Sequence, residues 1–435
     1  MKEYPNILIL NNQSIYKNNA TGITLRSILG AWPEENLYEM QMDKEFASQN
    51  KDGKKRSSYI IDSVPLYNVM RSVHKLLSRR KECKKSSQSN KEDGIRNVSV
   101  GMRSSLNSII DGSPVLIRID WNKYLKGFVP DVIYTCGASV AVMKIALKAA
   151  RKYHVPIVLH FMDDWVHYLQ NEQGLVQHMH KKKLCKWLKK CYAKSVINFA
   201  ISPYMAKEYE EETGIPHIAL MNAVSVDKFV NEPLNHKLPC IFTYAGGLHL
   251  ERWKALKEIE EILWDFNQKG YQFRLRIYTD LKNNYQIKYF NSAITEIYEA
   301  VPHEEMYRIM KEADVLIHAE TQNPALMGFF RYSISTKIPE YMAANRPILF
   351  YGPKEMRLLQ HLKEHEMAFV ASDKEELRYC IKELSEDKRK VEKIRNNADG
   401  YVVENQEITK VQETFYLTMC KITNYKSEGK EKICV

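Results

Sequence analysis

The residues best equipped for chemistry lie in one stretch, Ser335-Thr336-Lys337-Ile338-Pro339-Glu340-Tyr341. A hydroxyl just before a helix accepts from the orphan amides of the first turn, so Ser335 or Thr336 is the expected N-cap. Pro339 then falls in that turn, where its missing N–H costs little. Open amides, the helix dipole and the Lys337 ammonium together make an anion site, most naturally for a phosphate. Glu340 would repel a phosphate at close range and is read instead as an acceptor for sugar hydroxyls. An ordinary capped helix is the plainer reading of the same residues.

Three other places carry polar chemistry. His160, Asp163 and Asp164 follow an apolar run at 156–160, at the carboxyl end of an expected strand. That edge suits an acid, a base or a sugar-hydroxyl contact. One His and two adjacent Asp are a weak metal signal, and a polar loop capping the next helix is the alternative. Gly22 sits in a small-residue loop after the run at 6–10, where it would let a ligand approach the backbone or serve as a turn glycine. Gly246-Gly247 follows the run at 241–245 and precedes a helical stretch, an arrangement that can bring backbone against a phosphate.

These positions need an α/β scaffold, and the chain supplies one. Apolar runs at 6–10, 131–135, 156–160, 196–201, 218–221, 241–245, 313–318 and 347–351, and an apolar–basic alternation at 273–278, are separated by helical patterns. Such alternation predicts parallel sheets with crossover helices. A length of 435 residues suggests two domains. The expected division is a first domain over 1–230, a linker over 231–239 and a second domain over 240–405. A final helix over 406–424 and a polar tail over 425–435 follow. The segment 373–398 is expected to be helical and 86–94 a loop.

Residues 1–200 hold 32 Lys+Arg against 17 Asp+Glu, and the remainder is mildly acidic. A basic half suggests an anionic partner: a membrane surface, a nucleic acid or a phosphorylated substrate. Basic runs at 51–56 and 79–85 flank a basic amphipathic pattern at 69–80, which suits an anionic membrane surface or a solvated helix face. A second basic helix is expected over 178–195. No run of about 18 apolar residues is present, and the apolar run near the N-terminus is too short for a signal segment. The eight cysteines form no C-x-x-C pair and are read as reduced thiols of a cytoplasmic protein.

Taken in order, several segments resemble the GT-B glycosyltransferases, specifically the retaining glycosyltransferase family 4 of bacterial surface-polysaccharide synthesis. They are Pro130-Asp131-Val132-Ile133-Tyr134, His160-Phe161-Met162-Asp163-Asp164-Trp165, Ala200-Ile201-Ser202-Pro203-Tyr204, Met221-Asn222-Ala223-Val224, Tyr244-Ala245-Gly246-Gly247-Leu248, Ala313-Asp314-Val315 and Ser335-Thr336-Lys337-Ile338-Pro339-Glu340-Tyr341. The resemblance implies two Rossmann-like domains facing a central cleft, with the last helix returning to the first domain. It implies a nucleotide-sugar donor, a UDP-sugar by family habit, held by the second domain. The acceptor would be a glycan or lipid-linked molecule, and the enzyme cytoplasmic or peripheral on the inner membrane face. It implies no metal or other cofactor.

Carried over by position, Gly246 and Gly247 lie near the diphosphate, and Arg252 stands where a lysine usually neutralises it. Ser335, Thr336 and Lys337 complete the phosphate site. Glu340 binds the ribose and the Val301 backbone contacts the base. His160 and Asp163 face the transferred sugar, and Gly22 lines the phosphate side from the other domain. The sequence departs from the family where Tyr332 replaces the first glutamate of the paired motif and Gly247 replaces an arginine. Rival readings are a non-catalytic partner subunit and a GT-B nucleotide-sugar epimerase or hydrolase. A nucleic-acid binder lacks support because no aromatic-rich basic module is visible. A dinucleotide-binding dehydrogenase would need G-x-G-x-x-G after the first strand, which is absent.

Overall fold

The computed structural model describes residues 3–17, 19–42, 57–59, 108–109, 111–112, 119–168, 174–229, 238–326, 331–332 and 335–427. The basic runs at 51–56 and 79–85, the segment 69–80, the loop at 86–94 and residues 231–237 of the expected linker lie outside these. The chain divides into two units, residues 1–220 with 414–435 and residues 221–413. The division thus falls at 220/221 rather than at 230.

Unit 1 is built on the strands β1 (Ile7–Asn11), β2 (Leu37–Gln41), β3 (Ser57–Tyr59), β4 (Val132–Thr135), β5 (Ile157–Phe161), β6 (Asn198–Ala200) and β7 (His217–Ala219). They lie in the order β3-β2-β1-β4-β5-β6-β7, and every pairing is parallel. β1, β4 and β5 are buried along their whole length. That is why they read as continuous apolar or nearly apolar runs rather than as alternation. β2 was not expected, because Glu39 and Gln41 break its apolar pattern. Glu39 nevertheless lies inside, since its carboxylate accepts from the Ile15 amide at 2.6 Å and from the Ser14 and Ser57 hydroxyls at 2.9 Å each.

The last helix, Ile408–Ser427, carries Phe415, Met419 and Ile422 fully buried. In unit 1 the Phe415 ring packs against Trp32, Tyr134 and Phe199 with centroids 5.3, 5.7 and 5.5 Å apart. These are attractive aromatic geometries on top of the area buried.

Unit 2 holds β8 (Cys240–Ala245), β9 (Phe273–Thr279), β10 (Thr295–Glu299), β11 (Val315–Ala319), β12 (Ile348–Tyr351) and β13 (Phe369–Ala371), in the parallel order β10-β9-β8-β11-β12-β13. Helix Arg252–Asn267 buries Leu256, Ile259 and Leu263 against Phe242, Leu275 and Ile277 of the sheet. The helical segment expected as one piece over 373–398 is two helices, Lys374–Glu386 and Lys388–Asn405. They part at Asp387, which leaves helical geometry and accepts from the Lys390 amide at 2.9 Å.

In each sheet the strand order reverses once, between β1 and β4 in unit 1 and between β8 and β11 in unit 2. Loops leaving neighbouring strands diverge there, which opens a crevice at the carboxyl ends. The packing around Phe415 sets a test of unit 1. In urea unfolding, Phe415→Ala is expected to lower stability by about 3–5 kcal/mol. Leu417→Ala, on the exposed face of the same helix, is expected to change it by no more than about 0.5 kcal/mol. Equal effects would mean that the helix does not pack on this face.

Candidate functional site

The crevice of unit 2 begins where β8 ends. The Tyr244 hydroxyl donates to the Gly247 carbonyl at 2.8 Å and folds the strand end into a tight turn. The Lys337 ammonium reaches the same turn and donates to the Ala245 carbonyl. A Cβ on Gly246 would lie 2.8 Å from Lys337 Nζ and 2.8 Å from the Tyr244 hydroxyl, so a side chain there would displace the amine or the phenol. Leu250 and Glu251 then both adopt left-handed backbone, at φ 55° and 61°. Two consecutive non-glycine residues there hold strain at the mouth of the crevice. Helix Arg252–Asn267 starts immediately afterwards with no side-chain cap.

Lys337 opens helix Lys337–Ala343. Burial, then the nearby Arg252 charge, lower its pKa from 10.5 to about 8, against the weaker upward pull of Glu340 and Glu320. Of the two expected cap hydroxyls, Ser335 alone contacts a first-turn amide. Thr336 has helical rather than extended backbone and makes no capping bond, so its hydroxyl does not turn to the first amides. Ser335 Oγ accepts from the Lys337 amide at a long 3.4 Å.

Arg252 was expected as a cation open to a diphosphate. Instead its guanidinium is paired side-on with Glu320, Nε at 2.8 Å and one terminal nitrogen at 2.9 Å. Glu320 follows β11 and is 4% exposed. Burial pushes its pKa up, but His318, with Nε2 at 3.4 Å, and Arg252 outweigh burial and hold it below the usual range. A forked pair with a buried carboxylate is a strong bond. His249 lies 3.4 Å from Arg252, and burial followed by the Arg252 charge lowers its pKa. Glu320, His249 and His318 were not singled out from the sequence. The only signal for Glu320 was its place just beyond the carboxyl end of an expected strand.

On the far side of the same helix start, Glu340 Oε1 accepts from His303 Nε2 at 2.6 Å. His303 begins helix His303–Glu312, two residues after Val301. Val301 is partly exposed in the loop after β10. Gly246, Gly247, Val301, Arg252, Ser335, Thr336, Lys337 and Glu340 therefore all belong to unit 2 and to loops or helix starts at the carboxyl edge of its sheet.

Gly22, His160 and Asp163 belong to unit 1. Gly22 is inside helix Ala20–Leu29, and a Cβ there would come 2.1 Å from the Lys17 carbonyl. Its missing side chain accommodates the chain's own loop. His160 was expected to face a sugar, but its ring is fully buried. It bonds the Tyr134 hydroxyl and packs on Phe199, and burial lowers its pKa to about 3. The reason is that both faces of β5 are covered, so a side chain on either face points into the unit. Asp163 is exposed. Desolvation by surrounding protein, then the Asp164 charge, raise its pKa.

Among the described residues, His167, Glu208 and Glu212 have ligand atoms within 4.8 Å of one another, the spacing of a metal site. Both ring nitrogens of His167 are engaged, Nδ1 by the buried Asp164 at 2.6 Å and Nε2 by Glu212 at 2.9 Å. These bonds make His167 a hydrogen-bonded clasp between helices Trp165–Tyr168 and Pro203–Thr213.

The two crevices differ in how their helix starts are satisfied. In unit 1 Asn19 accepts from the Gly22 amide, and Ser139 caps helix Val140–Tyr153. Asp111 adds a carboxylate to that second start, accepting from the Val140 amide at 2.8 Å. In unit 2 the helices beginning at Arg252 and His303 have no side-chain cap, and the one beginning at Lys337 has only the long Ser335 contact. Among the described residues, side chains take up the first amides of the unit 1 helices, whereas backbone carbonyls do so in unit 2, His249 for Arg252 and Ser335 for Ile338.

No protein-family model matches the sequence, and no curated protein does. Solved structures do match. HepE of Anabaena in complex with UDP is 13% identical, with 96% of this chain and 100% of that one covered and a TM-score of 0.61. Sucrose-phosphate synthase of Thermosynechococcus elongatus is 10% identical over 97% and 100%, with a TM-score of 0.60. A glycosyltransferase of Rickettsia africae is 12% identical over 97% and 99%, with a TM-score of 0.57. At these identities the likeness is one of fold, and the fold is the α/β GT-B architecture of two units, each with a parallel sheet.

The buried amine has a consequence for stability. Folded protein releases the Lys337 proton near pH 8 and the unfolded chain near 10.5. Between those values the unfolded chain holds more protons, so raising the pH stabilises the fold relative to a variant without the amine. The unfolding free energy of the wild type minus that of Lys337→Met is expected to rise by roughly 1–3 kcal/mol across this range. A flat difference would mean that the amine is solvated.

Proposed function

We propose that this protein is a glycosyltransferase that moves a hexose-type sugar from a nucleotide-sugar to a glycan or lipid-linked acceptor. A UDP-sugar is the first choice of donor. The observation that carries the reading is the carboxyl edge of unit 2. There, Gly246, the Lys337 amine and the start of the helix at Arg252 meet at the turn after β8, with Glu340 on the same short helix as Lys337. A diphosphate supplies the negative charge this turn lacks, and the vicinal hydroxyls of a ribose suit the Glu340 carboxylate.

Transfer breaks the bond between the anomeric carbon and a phosphate oxygen, leaving charge on the departing nucleotide. Preorganised amides and the Lys337 ammonium would stabilise that charge without a metal. Arg252 would join them through its charge while Glu320 holds its plane. UDP is bound by HepE, which shares the fold, and this favours uridine among the bases. Retention of configuration, and a place in surface-polysaccharide synthesis, rest on the resemblance of the motifs.

A second reading is a non-catalytic partner subunit that keeps the nucleotide fold. The pairing of Arg252 with Glu320 and the burial of Tyr332, 1% exposed where a glutamate is the family habit, favour it. Thermal stabilisation across UDP-, GDP-, ADP- and dTDP-sugars separates the readings. A donor at about a hundred times its Kd is expected to add about 2.7 kcal/mol. Lys337→Ala and Glu340→Ala are expected to abolish that gain and the transfer. No shift with any donor removes the donor reading, whereas binding without turnover supports the partner subunit. Normal transfer by both variants would show that the site lies elsewhere.

A further inference from the structure

Glu340 does not stand alone. It is on helix Lys337–Ala343, its side chain only 13% exposed, and Oε1 is taken by His303 Nε2 at 2.6 Å. His303 comes from a different helix, His303–Glu312, and is 52% exposed. Its ring is held edge-on by Tyr307, with centroids 5.0 Å apart, and Lys228 Nζ lies 5.4 Å over the Tyr307 ring. An accessible imidazole therefore reaches inward to grip a recessed carboxylate, with an aromatic ring fixing its plane.

A carboxylate that accepts from two neighbouring hydroxyls must present its lone pairs in one orientation, and a glutamate side chain is free to rotate about its last bond. One strong donor on Oε1 removes that freedom and leaves Oε2 for a ligand. We propose that His303 is a positioning residue that orients Glu340 toward the ribose hydroxyls of a nucleotide bound at unit 2. This rests on the nucleotide-sugar reading given above.

The charged and titratable groups facing His303 are Glu340 from helix Lys337–Ala343, Lys228 from the turn Val226–Lys228, and Glu304 and Tyr307 from its own helix. The bond to Glu340 raises the imidazole pKa most, burial and Lys228 oppose it, and Glu304 adds to the rise. The imidazolium is the stronger donor, so the grip on Glu340 loosens as the pH climbs through the His303 pKa, above the ordinary value of about 6.5.

The test is calorimetric titration of the full chain with UDP and with 2′-deoxy-UDP, for the wild type and for His303→Ala, His303→Gln and Glu340→Gln. His303→Ala is expected to weaken UDP about tenfold and to leave 2′-deoxy-UDP nearly unchanged. His303→Gln keeps an N–H donor and is expected to recover most of the loss. As the pH climbs above about 6.5 it should also show a smaller fall in UDP affinity than the wild type, the remaining fall being that of Lys337. If Glu340→Gln weakens UDP and His303→Ala does not, the inference is overturned while the nucleotide reading stands. Equal losses for UDP and 2′-deoxy-UDP in His303→Ala also overturn it, since a purely structural role would not distinguish the 2′-hydroxyl. A wild type that binds no UDP overturns both. Should His303→Ala fail to fold, His303→Gln and the ratio of the two affinities still decide.

Discussion

The account depends on one buried amine. Lys337 lies against the end of β8, and its bond to the Ala245 carbonyl does not make up for lost hydration, so its pKa falls to about 8. A cation kept in that state is costly to the empty protein and is favoured only once an anion arrives. The sheet makes the position available. β8 and β11 are the strands between which the order reverses, so the loops after them leave a gap at their carboxyl ends. Gly246 clears the space, and the helix bearing Lys337 brings the amine to it.

The same topology occurs twice, and the contrast between copies explains why one crevice is assigned to the nucleotide. Unit 1 closes its helix starts with Asn19, Ser139 and Asp111, and Asp111 is also bonded to His180 at 2.7 Å. A phosphate there would displace a carboxylate already in place. Among the described residues, unit 2 places no carboxylate on the equivalent amides and arranges Lys337, Arg252 and His249 nearby. Glu320 tempers that positive field by binding Arg252 on two nitrogens, which aligns the guanidinium and limits its repulsion of Lys337. The fold is shared with proteins whose sequences have diverged almost completely, so local features of this kind must carry the functional argument.

The fold class was legible because parallel strands buried on both faces leave apolar runs, as in β1, β5 and β12. Where a strand hides satisfied polar groups the signal vanishes, and β2 with Glu39 and Gln41 was missed for that reason. The carboxyl-edge positions of Lys337, Gly246 and Glu340 could be inferred from their place after strands. Their partners could not, because Arg252 with Glu320 and His303 with Glu340 join residues 68 and 37 positions apart. His160 shows the opposite limit. Its position at a strand end was visible, but which way its ring turned depended on a layer of side chains that periodicity does not report.

Proton uptake on ligand binding tests the assignment of Lys337 most directly. The measurement is calorimetry of UDP binding to the wild type at about pH 9, in buffers of different ionisation enthalpy. At that pH the amine of the empty protein is mostly neutral, and a diphosphate beside it restores the charge. Uptake of most of one proton per UDP bound is predicted. UDP binding with no proton uptake would contradict the account, because the diphosphate would then lie away from Lys337.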